Sequence, residues 1–534
     1  DAGTFKTLAY ALLTSDLKVT PDSTKRGFLW RVHQNSSLLA NNSARPIQQL
    51  GGLLGENFAD PNAQGVAIAP GTPGSDNRQP IQFEIDSVIN MSQNAADGAG
   101  DFPSDDIMPG IPGVNPSDSP TAATDGIAGE VITYIDLPAG KHTFAVRSDD
   151  GFRTTAGNIA DVFKAQVSGD SAGAVANSTY DVYVQEAGVY PFRTVWEEGS
   201  GGANIEWMRV LADGTTRVLL NDTANGGFTT YRAVTGKGPT AITLVSPVQG
   251  ATAVPFDTPV MVKIQEGTTA LDAASVTLRI DGAVVNAQKT KVGDVTTVTY
   301  QPSEFFASGS QHTAAIAYTA GGVPRSETWQ FTVATYPTLT RAQQAASVDT
   351  SKPGFVWSVF QNETYTPNSL AEAELALAGQ LTATAGGPVL TNLAEPTITG
   401  PALVTGVKTG AVYRFDIPTV INLSQTEFES NGYFTPDEQM PGIPGTTFST
   451  DGIDAEVITF VELPAGVVTF GVVSDDSYRI QAGNISKPSD AVLLSQVDGA
   501  TANLTFRCWV KDAGVYPIRV VWQEWGGAAH PLLL

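Results

Sequence analysis

The chain has 534 residues, with 30 Lys and Arg against 54 Asp and Glu, a formal charge of −24. That excess of carboxylates argues against a nucleic-acid ligand, whose phosphates need Lys and Arg, and against an anionic membrane surface. No apolar run approaches the ~20 residues of a membrane span, and a single cysteine, Cys508, excludes an internal disulfide.

Read in order, the chain begins at Asp1 without Met, as a processed mature protein does. Its first periodic stretch, Thr4–Ser15, predicts a helix. From there strand patterns dominate: GFLWRVHQN at 27–35, FEIDSVINMSQ at 83–93, and EVITYIDL, KHTFAVRS, TYDVYVQEAG and PFRTVW beyond. They alternate apolar and polar residues between Gly, Pro, Asp and Asn punctuation. A long polar loop, Asn94–Thr124, precedes the central strands; loops beyond about 12–15 residues are usually functional or mobile. The middle segment, from GPTAITLVSP to RSETWQFTV at 325–333, carries about seven short strands with regular turn signals, as a β-sandwich requires.

After it the first pattern returns. GFVWSVFQN stands at 354–362, FDIPTVINLSQ at 415–425, MPGIPG at both 108–113 and 440–445, DGIDAEVITFVELPAG from 451, and AGVYPIRVVW at 513–522. Ser369–Leu381 predicts a second helix. The chain is therefore read as all-β, three sandwiches in tandem: copy one over 1–236, a spacer over 237–336 and copy two over 337–534. Cys508, opposite Val182, is expected to be a small buried hydrophobe.

The duplication isolates a shared site. Asp149-Asp150 and Asp475-Asp476 each end a hydrophobic strand. Adjacent carboxylates repel, and a site that holds both usually supplies a cation. Oxygen-only ligands beside glycine-rich loops favour Ca²⁺.

Other motifs carry less. Gly169-Asp170-Ser171-Ala172-Gly173 fits the G-x-S-x-G pattern but is read in a polar loop rather than a strand-to-helix elbow, and copy two lacks it. His33, His142, His312 and His530 show no metal spacing. Glu197 and Glu198, adjacent on a strand, point to opposite faces and do not make a glycosidase pair. N-x-S/T sequons recur at Asn35 and Asn362 and at Asn90 and Asn422. No catalytic constellation emerges, so a non-enzymatic protein is expected.

The residues Ser148 to Arg153, Gly188 to Arg193, Trp196-Glu197-Glu198, the loop to Asn204, and Trp207 resemble the PA14 family, which includes lectin-like domains of microbial adhesins. The middle segment resembles bacterial immunoglobulin-like domains through its Y-x-P, G-S-x-H-T and W-x-F-x-V patterns. The PA14 resemblance implies β-sandwiches in which an Asp-Asp pair, often joined by a cis peptide, holds calcium completed by sugar hydroxyls. Carried over, it makes Asp149, Asp150, Glu198 and Asn204 metal ligands in copy one, and Asp475, Asp476 and Glu524 in copy two. It places Gly199, Gly201 and Trp525 beside the ligand. Copy two departs from it: Ser477 stands for Gly151 and His530 for Asn204. The expected function is calcium-dependent glycan binding by an extracellular or cell-surface bacterial protein. The alternatives are a self-assembling subunit of a surface layer, sheath or filament, and an accessory region of a secreted glycan-degrading enzyme. Copy two stops at Leu534, opposite Met208; either the chain continues or a neighbour's strand, such as Thr4–Leu17, completes the sandwich.

Overall fold

The computed structural model describes residues 10–63, 72, 76–93, 100–114, 124–173, 175–364, 368–426, 434–527 and 530–533, the last three through their backbone only. The fold is almost all β, 46% strand against 6% helix, in separate sheets that form tandem β-sandwiches. It divides into two compact units, residues 1–304 with 311–333, and residues 305–310 with 334–534.

The first unit contains copy one and most of the middle segment. In copy one, one sheet runs Ala11–Leu13, Ala176–Val184, Gly140–Asp149, Asn204–Val210, Asn90–Ser92, Asp106–Ile107. The facing sheet runs Ile81–Ile85, Phe28–Gln34, Ile127–Leu137, Gly188–Glu198, Phe152–Gly157, Ala165–Ser171. Alternation along these strands sends one face inward, where Trp30, Trp196, Trp207, Phe144 and Phe192 form a single core. The middle segment makes two four-stranded sheets of its own. It is joined to copy one by real contacts: Val162 N–H donates to Ile242 O at 2.9 Å, and the Phe163 ring lies 6.0 Å from that of Trp329.

Copy two repeats the plan. Phe355–Gln361, Ile453–Leu463, Gly514–Glu524 and Tyr478–Ala482 pair as their counterparts do, so that Trp357 and Trp522 stand 6.3 Å apart where Trp30 and Trp196 stand at 6.2 Å. The MPGIPG runs share their local geometry. Ile111–Pro112 and Ile443–Pro444 are both cis, and Gly110 and Gly442 have φ of 89° and 92°. Their identity has a steric reason: a Cβ on Gly113 would sit 2.3 Å from Gln34 Oε1, and on Gly445 2.3 Å from Gln361 Oε1.

Several expectations change. Thr4–Ser15 is not a helix where it is described: Ala11–Leu13 is a strand and Ser15–Leu17 a single 3₁₀ turn. That strand pairs in parallel with Val182–Val184 of its own copy, as Thr338–Leu339 pairs with Trp509–Val510, so in this structure it is not donated to a neighbour. Pro531–Leu533 pairs with Val472–Ser474 as Asn204–Val210 pairs with the end of Gly140–Asp149, but it lies at the edge of its sheet where Asn204–Val210 lies inside. Gly169–Ser171 belongs to the strand Ala165–Ser171 rather than a loop. Much of the Asn94–Thr124 loop lies outside the described residues. The second predicted helix is present as Leu370–Leu377. Its copy-one counterpart, Ala44–Leu50, was not foreseen: seven residues with a proline in the first turn show little periodicity. Cys508 is fully buried, as expected of a small hydrophobe.

Candidate metal centre

The site forms where Gly140–Asp149 ends and the chain turns into Phe152–Gly157. The turn is fixed from several sides. Ser148 Oγ donates to Asp150 O at 2.7 Å, Asp150 N–H donates to Glu197 O at 3.0 Å, and the Trp196 indole N–H donates to Asp149 O at 3.2 Å. The Asp149–Asp150 peptide is cis. Asp150 Oδ2 accepts both Asn41 Nδ2 at 2.6 Å and Gly199 N–H at 3.1 Å, so both of these bonds fall on one oxygen.

Glu197 and Glu198 separate across their strand. Glu197 turns to Arg45, which donates to its Oε2 at 3.0 Å with both side chains buried. Glu198 turns the other way. Donor atoms of Asp149, Asp150 and Glu198 lie within 4.8 Å of one another. Glu198 is 0% exposed, and neither carboxylate oxygen has a hydrogen-bond partner. Asn204, paired through the backbone with Asp149, also leaves its buried Oδ1 unpartnered. Burial and the charges of Asp150, Asp149 and Asp125 push the Glu198 carboxyl up to about 8, with Arg45 offsetting part of this. Asp149 is likewise raised by burial and by Asp150.

A buried polar atom without a partner carries a cost of about 1–3 kcal/mol, and both oxygens of Glu198 and Oδ1 of Asn204 are such atoms. All are oxygens. The donor set therefore fits a hard divalent cation with oxygen ligands, and Asp149, Asp150, Glu198 and Asn204 are the residues that would hold calcium. The outer side is open. A Cβ on Gly201 would meet nothing within 4 Å, and one on Gly202 only Asp149 Oδ2 at 3.6 Å. Gly199, by contrast, is packed against Asn41 and Leu39.

Copy two places Asp475, Asp476 and Glu524 at the same strand ends, with differences. Ser474 Oγ again donates to Asp476 O at 2.7 Å. Asp476 spends one oxygen on Asn368 Nδ2 at 2.8 Å and the other on Trp525 N–H at 2.9 Å. Ser477, in place of Gly151, donates to Asn368 Oδ1. Glu524 is buried with neither oxygen partnered at hydrogen-bonding geometry. Burial first, then Asp476 and Asp475, push it up to about 8, and the nearby Gly526 N–H offsets only part of that. Among the described residues only the Asp149 group gathers three Asp, Glu, His or Cys donors within 4.8 Å of one another; the copy-two residues, His530 included, do not. Trp525 stands 55% exposed on the loop above.

Sequence reading missed Asn41 and Asn368, the amides that orient Asp150 and Asp476, and it missed Arg45. They lie more than 100 residues from the carboxylates they touch, and only the recurrence of an Asn at one place in both copies hinted at them.

No family model matches the chain, and no curated protein matches it. Solved structures do. An anti-sigma factor domain-containing protein from Clostridium clariflavum aligns at 9% identity over 95% of this chain and 93% of its own, with a TM-score of 0.22. The PA14 domain of the MpAFP antifreeze protein aligns at 16% identity over 39% of this chain and 92% of its own, TM-score 0.24. The PA14 sugar-binding domain from an RTX adhesin aligns at 12% over 37% and 95%, TM-score 0.20. Matches at these TM-scores say nothing of what this chain binds.

Proposed function

We propose that the chain is a non-catalytic, extracellular or cell-surface glycan-binding protein that uses calcium at Asp149, Asp150, Glu198 and Asn204. The observation that supports it is Glu198: a fully buried carboxylate, without a partner, facing two further carboxylates. Such a group is either protonated or neutralised by a cation. The open space above Asp149 at Gly201 and Gly202 leaves room for a ligand hydroxyl on the metal's outer side. Isothermal titration of the chelator-treated chain with calcium, followed by a glycan array with and without EDTA, tests both parts. Calcium binding that Asp150→Asn abolishes, with glycan signal lost in EDTA, is the expected result. Glycan signal indifferent to EDTA overturns the calcium part, and calcium binding with no glycan signal overturns the lectin part.

A self-assembling role is favoured by one observation, the exposed apolar run in copy two at Leu403, Val404 and Val407, which are 80%, 60% and 63% exposed. Sedimentation over a concentration series decides it.

A further inference from the structure

We propose that the pocket between the helix Ala44–Leu50 and the outer face of its sheet in copy one binds a small molecule that carries a carboxylate on a short aliphatic stem, held by Arg153 and Arg193. The proposal is independent of the calcium reading, because Arg193 and Glu198 stand on opposite faces of the strand Gly188–Glu198.

Copy two shows the same arrangement filled. Glu374, on the helix Leu370–Leu377, accepts from both terminal nitrogens of Arg519 at 2.7 Å, and Arg479 donates to it at 3.4 Å. Through their Nε atoms Arg519 donates to Glu456 and Arg479 to Gln496. The strand register identifies the counterparts. Arg193 pairs with Ile132 and Thr155 as Arg519 pairs with Ile458 and Gln481, and Arg153 faces Asp170 as Arg479 faces Gln496. The Nε bonds recur as well, from Arg193 to Glu130 and from Arg153 to Asp170. The helix carboxylate does not. Glu374 stands six residues beyond Asn368, and six residues beyond Asn41 stands Ile47.

Copy one thus keeps the receptor and lacks its occupant. The terminal nitrogens of Arg193 donate to no described residue, and Arg193 is 22% exposed where Arg519, beside Glu374, is 5% exposed. A pocket of about 40 Å³ lies there, lined by Pro46, Ile47, Arg153, Arg193 and Val195 among others. At about 10–15 Å³ for each water, that is room for roughly three waters, or for one carboxylate group with its first carbon. Pro46, Ile47 and Val195 supply an apolar wall for the stem. The charges agree. Around the pocket Arg31, Arg45, Arg153 and Arg193 face Glu130, Glu197 and Asp170, leaving one positive charge unmatched, whereas in copy two Arg479 and Arg519 are matched by Glu374 and Glu456. A carboxylate offers the two coplanar acceptors that a guanidinium fork takes in parallel, as Glu374 does for Arg519.

The test uses the full chain in EDTA, so that no carboxylate is bound through a metal. Propionate, acetate and the uncharged propionamide are titrated and followed by ligand-observed NMR. Propionate is expected to bind at least about tenfold more tightly than propionamide, through its charge-assisted bonds, and about fourfold more tightly than acetate, the increment of one buried methylene. Ile47→Glu, which sets the copy-two carboxylate into the pocket, should weaken propionate by about tenfold or more. Glu374→Ile, which empties the counterpart, should add a second propionate site. Propionate bound no more tightly than propionamide by the unmodified chain overturns the proposal whether or not either variant folds, and so does propionate binding untouched in a folded Ile47→Glu chain. A glutamate-bearing peptide that binds where propionate does not assigns the pocket to a protein partner and overturns the small-acid reading. None of these outcomes bears on calcium at Asp149 and Asp150.

Discussion

Arg45 donates to Glu197 Oε2 at 3.0 Å with both side chains buried, and it also donates to the backbone oxygen of Glu198 at 2.9 Å. The arginine thus holds the strand end that aims Glu198 at Asp149 and Asp150. Copy two does not keep these residue types. Counting from the paired asparagines Asn41 and Asn368, Glu372 stands where Arg45 does, and Gln523 stands where Glu197 does. Removing one partner of a buried pair typically costs ~3–5 kcal/mol, whereas replacing both costs far less. Arg45→Met should therefore destabilise the first unit by about that amount, and Arg45→Met with Glu197→Met should recover most of it. A double-mutant cycle by urea unfolding measures this. Additive losses would show that the pair does not act as one.

Calcium should stabilise the chain more as pH rises. The Glu198 carboxyl, at about 8 in the fold against an ordinary 4.5, favours the protonated form. Its contribution to the metal-free fold is fully present below the ordinary value and is lost as pH climbs through about 8. Calcium needs the ionised form, so its effect grows over that window. Melting curves with calcium and with EDTA across this range should diverge progressively. Glu198→Gln should raise the melting temperature of the metal-free chain above pH 5 or so and remove the response to calcium.

Asp454 offers a second pH test away from the metal site. It is buried in copy two where copy one has Ala128, and burial, with Glu372 adding to it, pushes its carboxyl up to about 8. By the same sign, stability of the second unit is lost between the ordinary carboxylate range and about pH 8. Asp454→Asn should stabilise that unit at neutral pH and flatten its pH profile there. An unchanged profile would mean that Asp454 titrates normally.

The architecture was legible because duplication supplied an internal comparison: paired motifs exposed the strands, and two Asp-Asp pairs exposed the site. What could not be read was whatever depends on long-range closure. Ala11–Leu13 looks helical in sequence, yet a sheet edge beside Val182 overrides local propensity. The Arg45–Glu197 pair, on the opposite face of the strand from Glu198, spans 152 residues and left no local signal. The exchange of Asn204 for His530 was visible in the internal comparison, and the strand register agrees with it.

The last prediction separates the two units. The Trp30 indole N–H donates to Pro109 O at 2.9 Å, and Trp357 repeats the bond to Pro441 O at 3.0 Å, each anchoring its own MPGIPG turn to its own core. Both rings are fully buried. Trp30→Phe keeps most of the apolar volume but leaves the carbonyl oxygen unsatisfied, a loss of roughly 1–3 kcal/mol, and Trp357→Phe should do the same in copy two. Since each tryptophan belongs to a different compact unit, calorimetry should show two transitions, one lowered by each variant. Calcium should raise the transition that Trp30→Phe lowers, because Asp149, Asp150 and Glu198 share that unit. If calcium raises instead the transition that Trp357→Phe lowers, the calcium site lies in copy two and the assignment to Asp149 and Asp150 is wrong.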